Sequence, residues 1–220
     1  KRSPMPSQSP SPTIRTLASG FSPDGDWPSL DDVWRAAEPA LRARSNDIHT
    51  PLSFAFAELL LEAHPEADPL VVRVAILLHD SGWSRVDESK IISEGFRGDW
   101  RTSDVRYLHE LEGCNIAREI LPGLGYEEAF ITRVTDIIDG HDTRLQHHSI
   151  EDALVRDADR LWRFTPTGIG LASGWFGKTP SQYHEQLKTG TFRELITDSA
   201  REIAAAELAR SVELLKLDVI

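Results

Sequence analysis

Four histidines and two aspartates are the residues of this chain best suited to shared chemistry: His49, the adjacent pair His79-Asp80, His109, His141 and Asp157. Each lies on, or at the end of, an apolar run with helical spacing, where a lone polar side chain is costly. Residues on one helix face recur at steps of three and four. His49, Leu52, Phe56 and Leu60 keep that rule, as do Val105, His109, Glu112 and Ile116. Ile131, Val134 and Ile138 lead to His141, just past Gly140, and Asp157 sits among Ile150, Leu154, Leu161 and Phe164. His79 and Asp80 end the run VVRVAILL. Buried Asp is rare unless paired. A divalent cation would satisfy Asp157, hold it ionised and supply hydrolytic chemistry.

Each residue also has a plainer explanation. A single His on an apolar face is more often a satisfied core residue, an Asp near a helix start can be a cap, and His79 can be a helix end favoured by the dipole. Six coincidences need six such explanations, whereas one metal centre needs one. The only cysteine is Cys114, so thiolate sites and internal disulfides are excluded. Four imidazoles and two carboxylates offer ligands for one or two first-row divalent ions: Mn, Fe, Co, Ni or Zn.

The elements that must position these residues read as helices. Ser29, with Asp31 and Asp32 behind it, caps a helix to about Ala43. Further helices are expected over about Asp47 to Ala63, Pro69 to His79, 103–120, 127–139, 150–163 and 193–216. Residues 83–101 are less regular, with a short helix expected over Glu88 to Glu94. The glycine- and proline-rich stretch 165–190 reads as short helices and loops. Strand patterns are scarce, so the fold class is all-α. Residues 1–28 read as a flexible Ser/Pro-rich N-terminal tail and irregular lead-in, and 29–220 as a single helical domain.

Of the 220 residues, 40% are hydrophobic and 27% charged, an ordinary globular balance. The net charge of −11 argues against nucleic acid or an anionic membrane as partner. The longest apolar stretch, Val74 to Leu78, is too short to span a bilayer. No apolar core follows Lys1 and Arg2, so the start does not read as a secretory signal. With a single cysteine, a cytoplasmic location is the simplest expectation.

The order His49, His79-Asp80, Asp157 resembles the HD superfamily of metal-dependent phosphohydrolases. AILLHDSGW at 75–83, HELEGCNIAREIL at 109–121, IIDGHD at 137–142 and LVRDADRLW at 154–162 are similar to successive family segments, and the resemblance covers about residues 45–170. It implies an HD-type helical bundle with a central metal site. In that reading His49, His79, Asp80 and Asp157 are the core ligands, His109 and His141 are added in two-metal members, and Asp80 bridges two ions. It also implies that the metal acidifies a bound water, the nucleophile, and polarises a phosphoryl oxygen. Asp80, with its neighbour His79, would be catalytic, Asp80 orienting that water or taking its proton. Trp83 departs from the pattern, standing where many members carry a polar or basic residue.

The expected substrate is a small phosphate ester or nucleotide. Arg144, three residues after His141, Arg160, three after Asp157, and Lys90 in the loop-rich segment are the candidate substrate-binding residues. A helix pair, Asp157 with Arg160 or Asp159 with Arg163, is the plainer account of Arg160. Trp83, Trp100, Trp162 and Trp175 include candidates for a stacking surface. A second reading is a di-iron oxygenase, because the six ligands also resemble myo-inositol oxygenase and the organophosphonate-cleaving enzyme. A third is a binding domain with a closed, structural metal. The apolar face of the last helix suits closure of the bundle or a homodimer.

Overall fold

The computed structural model describes residues 30–91 and 104–219, and every regular element among them is helical. The expected tail and lead-in over 1–28, Ser29 and Trp100 lie outside those residues. In chain order the main helices are α1 (Asp31–Ala37), α2 (Asn46–Ala63), α3 (Pro69–Leu78), α4 (Asp104–Ile120), α5 (Glu128–Ile138), α6 (Ile150–Leu161), α7 (Pro166–Trp175), α8 (Pro180–Thr189) and α9 (Asp198–Leu215). None is long and apolar enough to cross a membrane.

Local chemistry explains most boundaries. The helix expected to run to Ala43 stops at Ala37 and tightens into a 3-10 turn over Glu38–Arg42. Pro39 has no N–H to donate to the Arg35 carbonyl, so the α ladder cannot continue through it. Asp68 caps α3, accepting the N–H groups of Leu70 and Val71, and Pro69 takes the first helical position. Two segments inside 165–190 are more regular than expected. Thr165-Pro166 and Thr179-Pro180 each start a ten-residue helix, the second with a full capping box through Gln182.

Helix α3 is the centre of the core, with Val71, Val72 and Val74 to Leu78 all buried. It packs against α2, α5 and α6. A buried bidentate pair, Arg73 to Glu58 at 2.7 and 3.1 Å, locks α3 to α2. Helix α6 also packs on α2 and α3, with α9 against it as well. It is buried on every side, from Asp152 to Leu161.

The close approach of α4 depends on glycine. A Cβ on Gly82 would lie 1.9 Å from the His109 carbonyl oxygen and 2.4 Å from the Gly113 nitrogen. The 3-10 turn Ser81–Arg85 therefore rests directly on the α4 backbone. That contact brings His109 beside the His79-Asp80 turn.

Candidate metal centre

Five helices deliver polar side chains to one buried point. His49 comes from the first turn of α2, His79 and Asp80 from the end of α3, and His109 from α4. His141 and Asp142 follow α5, and Asp159 comes from the last turns of α6. The four histidines are at most 4% exposed.

Helix ends orient two of the imidazoles. The last carbonyls of a helix lack intrahelical partners. His79 Nδ1 lies 2.6 Å from the Ile76 carbonyl, and His141 Nδ1 lies 2.8 Å from that of Ile138. A carbonyl only accepts, so both Nδ1 atoms carry the proton and both Nε2 lone pairs face inward. His49 Nδ1 lies 3.2 Å from Ser53 Oγ, which turns its Nε2 inward too. Glu110 accepts the N–H groups of Asp142 and Thr143 and the Thr143 hydroxyl, fixing the turn that carries His141.

Asp80 divides the cluster. Its Oδ2 lies 3.2 Å from His49 Nε2 and 3.8 Å from His79 Nε2, and both imidazoles are within 3.5 Å of Asp159 Oδ1. Its Oδ1 lies 3.5 Å from the Nε2 atoms of both His109 and His141. Asp142 Oδ2 is 3.8 Å from His109 Nε2. The result is two adjoining positions, each offering two imidazole nitrogens, one oxygen of Asp80 and one further carboxylate oxygen.

The donors fit a metal. His49 and His79 present Nε2 atoms 2.9 Å apart, and His109 and His141 present theirs 3.3 Å apart. Two ligands about 2.1 Å from one ion, at tetrahedral or octahedral angles, stand about 3.0–3.4 Å apart. Among the described residues, three overlapping histidine–aspartate groups are able to hold an ion: His49, His79 and Asp159; His79, Asp80 and His141; and His109, His141 and Asp142. Without a cation, protons must meet the same charge. Burial lowers His109 to a pKa of about 3, so it stays neutral. Burial also disfavours the His141 imidazolium, but Asp80, Asp142 and Glu110 outweigh it and raise its pKa to about 10. Burial opposes ionisation of Asp80, yet the histidines around it hold its pKa well below the usual carboxylate range.

The sequence expectation needs one correction among the six. Asp157 is fully buried but does not reach the cluster. Its Oδ1 accepts the Ile196 N–H at 2.7 Å, and its Oδ2 accepts the Thr197 N–H and hydroxyl, both at 2.8 Å. Those bonds hold residues 195–197 extended, so the last helix begins at Asp198, with Thr197 as its cap, and not at 193. Asp159 takes the place in the cluster. Two residues along a helix is about 200° of rotation, so the two carboxylates face opposite ways. Asp159 entered the sequence reading only as a helix partner of Arg163, and on a helix buried from Asp152 to Leu161 it is free to face the cluster instead. LVRDADRLW offered both aspartates, and the Asp159–Arg163 spacing was the one signal for the second.

The expected substrate residues lie elsewhere. Arg144 donates to Asp152 Oδ2 at 3.0 Å and to the carbonyls of Asp136 and Asp139, so it closes the end of α5. Arg160 donates to the Arg156 carbonyl at 2.7 Å and lies 3.7 Å from Glu194. Lys90 is exposed on a single helical turn, Glu88–Lys90, and lines none of the cavities at the centre. The cations at the centre are Arg44 and Arg163, which line its chamber together with Trp83, Trp162 and Trp175. Trp83 stacks on His109 at 4.0 Å and 9°, and its Nε1 donates to Asp80 Oδ1 at 3.0 Å. Three of the four tryptophans expected at a stacking surface thus wall the site.

An all-α bundle with this centre is the architecture of HD proteins. The HD domain matches residues 47–163, more than half of the chain, and the protein belongs to that family. The fold is similar to that of a predicted HD superfamily hydrolase from an uncultured Thermotogales bacterium, at 19% identity and TM-score 0.56, covering 86% of this chain and 90% of that one. It is also similar to Bacillus subtilis YpgQ, at 21% identity and TM-score 0.56, covering 86% and 96%. A structure of YpgQ in complex with ADP aligns at TM-score 0.53 and 21% identity, covering 84% and 97%. No curated protein sequence matches the chain.

Proposed function

We propose that the protein is a metal-dependent phosphohydrolase acting on a small phosphate ester or nucleotide. The observation that carries this reading is the placement of Asp80, whose two oxygens face two separate pairs of imidazoles. Divalent ions at such a site supply Lewis acidity toward a phosphoryl oxygen and toward water. The chain's own residues do the rest. The helix-end carbonyls of Ile76 and Ile138 keep two imidazoles in the ligating tautomer. Asp80, Asp142 and Asp159 all line the chamber, so a carboxylate is at hand to orient water and take its proton. The fold it shares with a predicted hydrolase and with a protein that binds ADP supports a phosphorylated substrate.

Metal analysis of the purified full chain, followed by a broad panel of phosphate esters and anhydrides, tests the proposal. Metal-dependent release of phosphate or pyrophosphate is expected, with His79→Ala and Asp80→Ala inactive. No release from any compound by metal-replete protein would overturn it. The full set of four imidazoles around a shared carboxylate also suits the oxygenase reading. Two irons per chain with substrate-dependent oxygen uptake would favour that reading, and a non-iron metal would remove it.

A further inference from the structure

The four imidazoles of the centre are not held alike. A metal-ligating histidine is ordinarily oriented by a hydrogen bond at the ring nitrogen remote from the metal. His79 and His141 have theirs from helix-end carbonyls, at 2.6 and 2.8 Å, and His49 has Ser53 Oγ at 3.2 Å. His109 lies in the middle of α4, away from the free carbonyls of a helix end. Its Nδ1 is buried and meets no hydrogen-bond partner among the described residues. What His109 has instead is an indole: Trp83 stacks on it, with ring centroids 4.0 Å apart and planes 9° from parallel. Local geometry puts that indole there. Asp80 opens the 3-10 turn Ser81–Arg85, in which side chains three apart lie one above the other, and Trp83 is three residues after it. Gly82 lets the turn rest on the α4 backbone at His109. One ring therefore reaches two ligands. Its Nε1 donates at 3.0 Å to Asp80 Oδ1, the oxygen that lies 3.5 Å from both His109 and His141.

Trp83 is a fixed wall. It is 5% exposed, packs with Val86, Ile91 and Val105, and carries the Arg44 guanidinium 4.0 Å from its centroid. The tryptophan beside the other pair of imidazoles is placed differently. Trp162 meets His49 edge-on, at 5.0 Å and 62°, and its buried Nε1 has no hydrogen-bond partner among the described residues. We propose that Trp83 is the positioning residue of the His109–His141 position: its stacking holds the one imidazole that no hydrogen bond orients, its N–H turns Asp80 Oδ1 to the same side, and the indole thereby decides whether the centre takes up a second ion. The His49–His79 position needs no such help, because each of its imidazoles is oriented by its own hydrogen bond. Stacking fixes the plane of a ring but not which nitrogen carries the proton, so His109 is the ligand most dependent on its neighbour. The inference concerns metal uptake and holds for whichever reaction the centre performs.

The test is metal uptake. Metal-free, full-length protein is titrated with cobalt(II) alone, followed by calorimetry and by the visible absorption of the bound ion. The unaltered protein should take up two equivalents, the second more weakly. Trp83→Leu, which removes both ring and donor, should weaken the second about 100-fold and leave the first within about threefold. Trp83→Phe keeps a ring over His109 and loses only the donor, so it should recover part of the affinity, to a loss of about tenfold. It also stands in if the Leu variant does not fold. The absorption added with the second equivalent should change shape in the variants, and that added with the first should not, whereas a general loss of structure would move both alike. Uptake of a single equivalent by the unaltered protein overturns the proposal. So does equal weakening of both equivalents, or a second affinity that the substitutions leave unchanged. Failure of the phosphohydrolase reading looks different: these affinities hold, but no ester or anhydride is turned over.

Discussion

His79-Asp80 and His141-Asp142 each follow the buried last turn of a helix, and in each the imidazole donates its Nδ1 proton to the carbonyl three residues earlier. The aspartates differ. Asp80 turns both oxygens to the cluster and is held there by the indole N–H of Trp83. Asp142 gives one oxygen to Arg106, at 2.8 Å, and only the other faces His109. The same local device thus makes a bridge in one place and a terminal, partly neutralised group in the other. A carboxylate already paired with a guanidinium attracts a cation less, so the His109–His141 position should be the weaker of the two.

The largest effect that would break this comparison is expected from Asp80→Asn. It should abolish both metal positions and lower turnover by a factor on the order of 10²–10³, measured by metal analysis and by initial rates. Asp142→Asn should spare the first equivalent of metal and weaken only the second, by about 10–100-fold in a calorimetric titration. Equal loss of both equivalents in the two variants would mean that the turns are not different.

The two aspartates of α6 sharpen the same contrast between a group that serves the centre and one that serves the fold. Asp159→Asn should lose metal while the metal-free protein unfolds near the original temperature. Asp157→Asn should keep metal and lose about 1–3 kcal/mol in urea unfolding, because donors at Ile196 and Thr197 are left buried and poorly met. The opposite pattern would restore Asp157 as a ligand. A comparable change in stability is expected from Gly82→Ala. Its Cβ would meet the backbone of α4, costing about 1–3 kcal/mol of stability and weakening the His109 position more than the His49 position.

Much of this was readable from the residues in order. Apolar periodicity placed α2 to α6 to within a few residues, because those helices bury a continuous stripe or run. His49, His79, Asp80, His109 and His141 stood out because each interrupts such a stripe, and all five meet at the centre. The same logic failed on α6. A helix buried on every side has no outer face, so Asp157 and Asp159 were equally eligible, and the more apolar setting belonged to the one that holds the segment before α9.

Residue types and spacing determined by themselves that the chain is helical, that it gathers imidazoles and carboxylates in its interior, and that sulfur takes no part. Only the tertiary structure decided which aspartate of α6 joins them, that Asp80 is shared between two pairs of histidines, and that Arg44, Arg163 and Arg106, not Arg144, Arg160 or Lys90, stand at the entrance. The reason is one of range. Periodicity records which side of a helix avoids water, a property of neighbours in sequence, whereas a site is made where sides of several helices meet, and that depends on contacts between residues tens of positions apart.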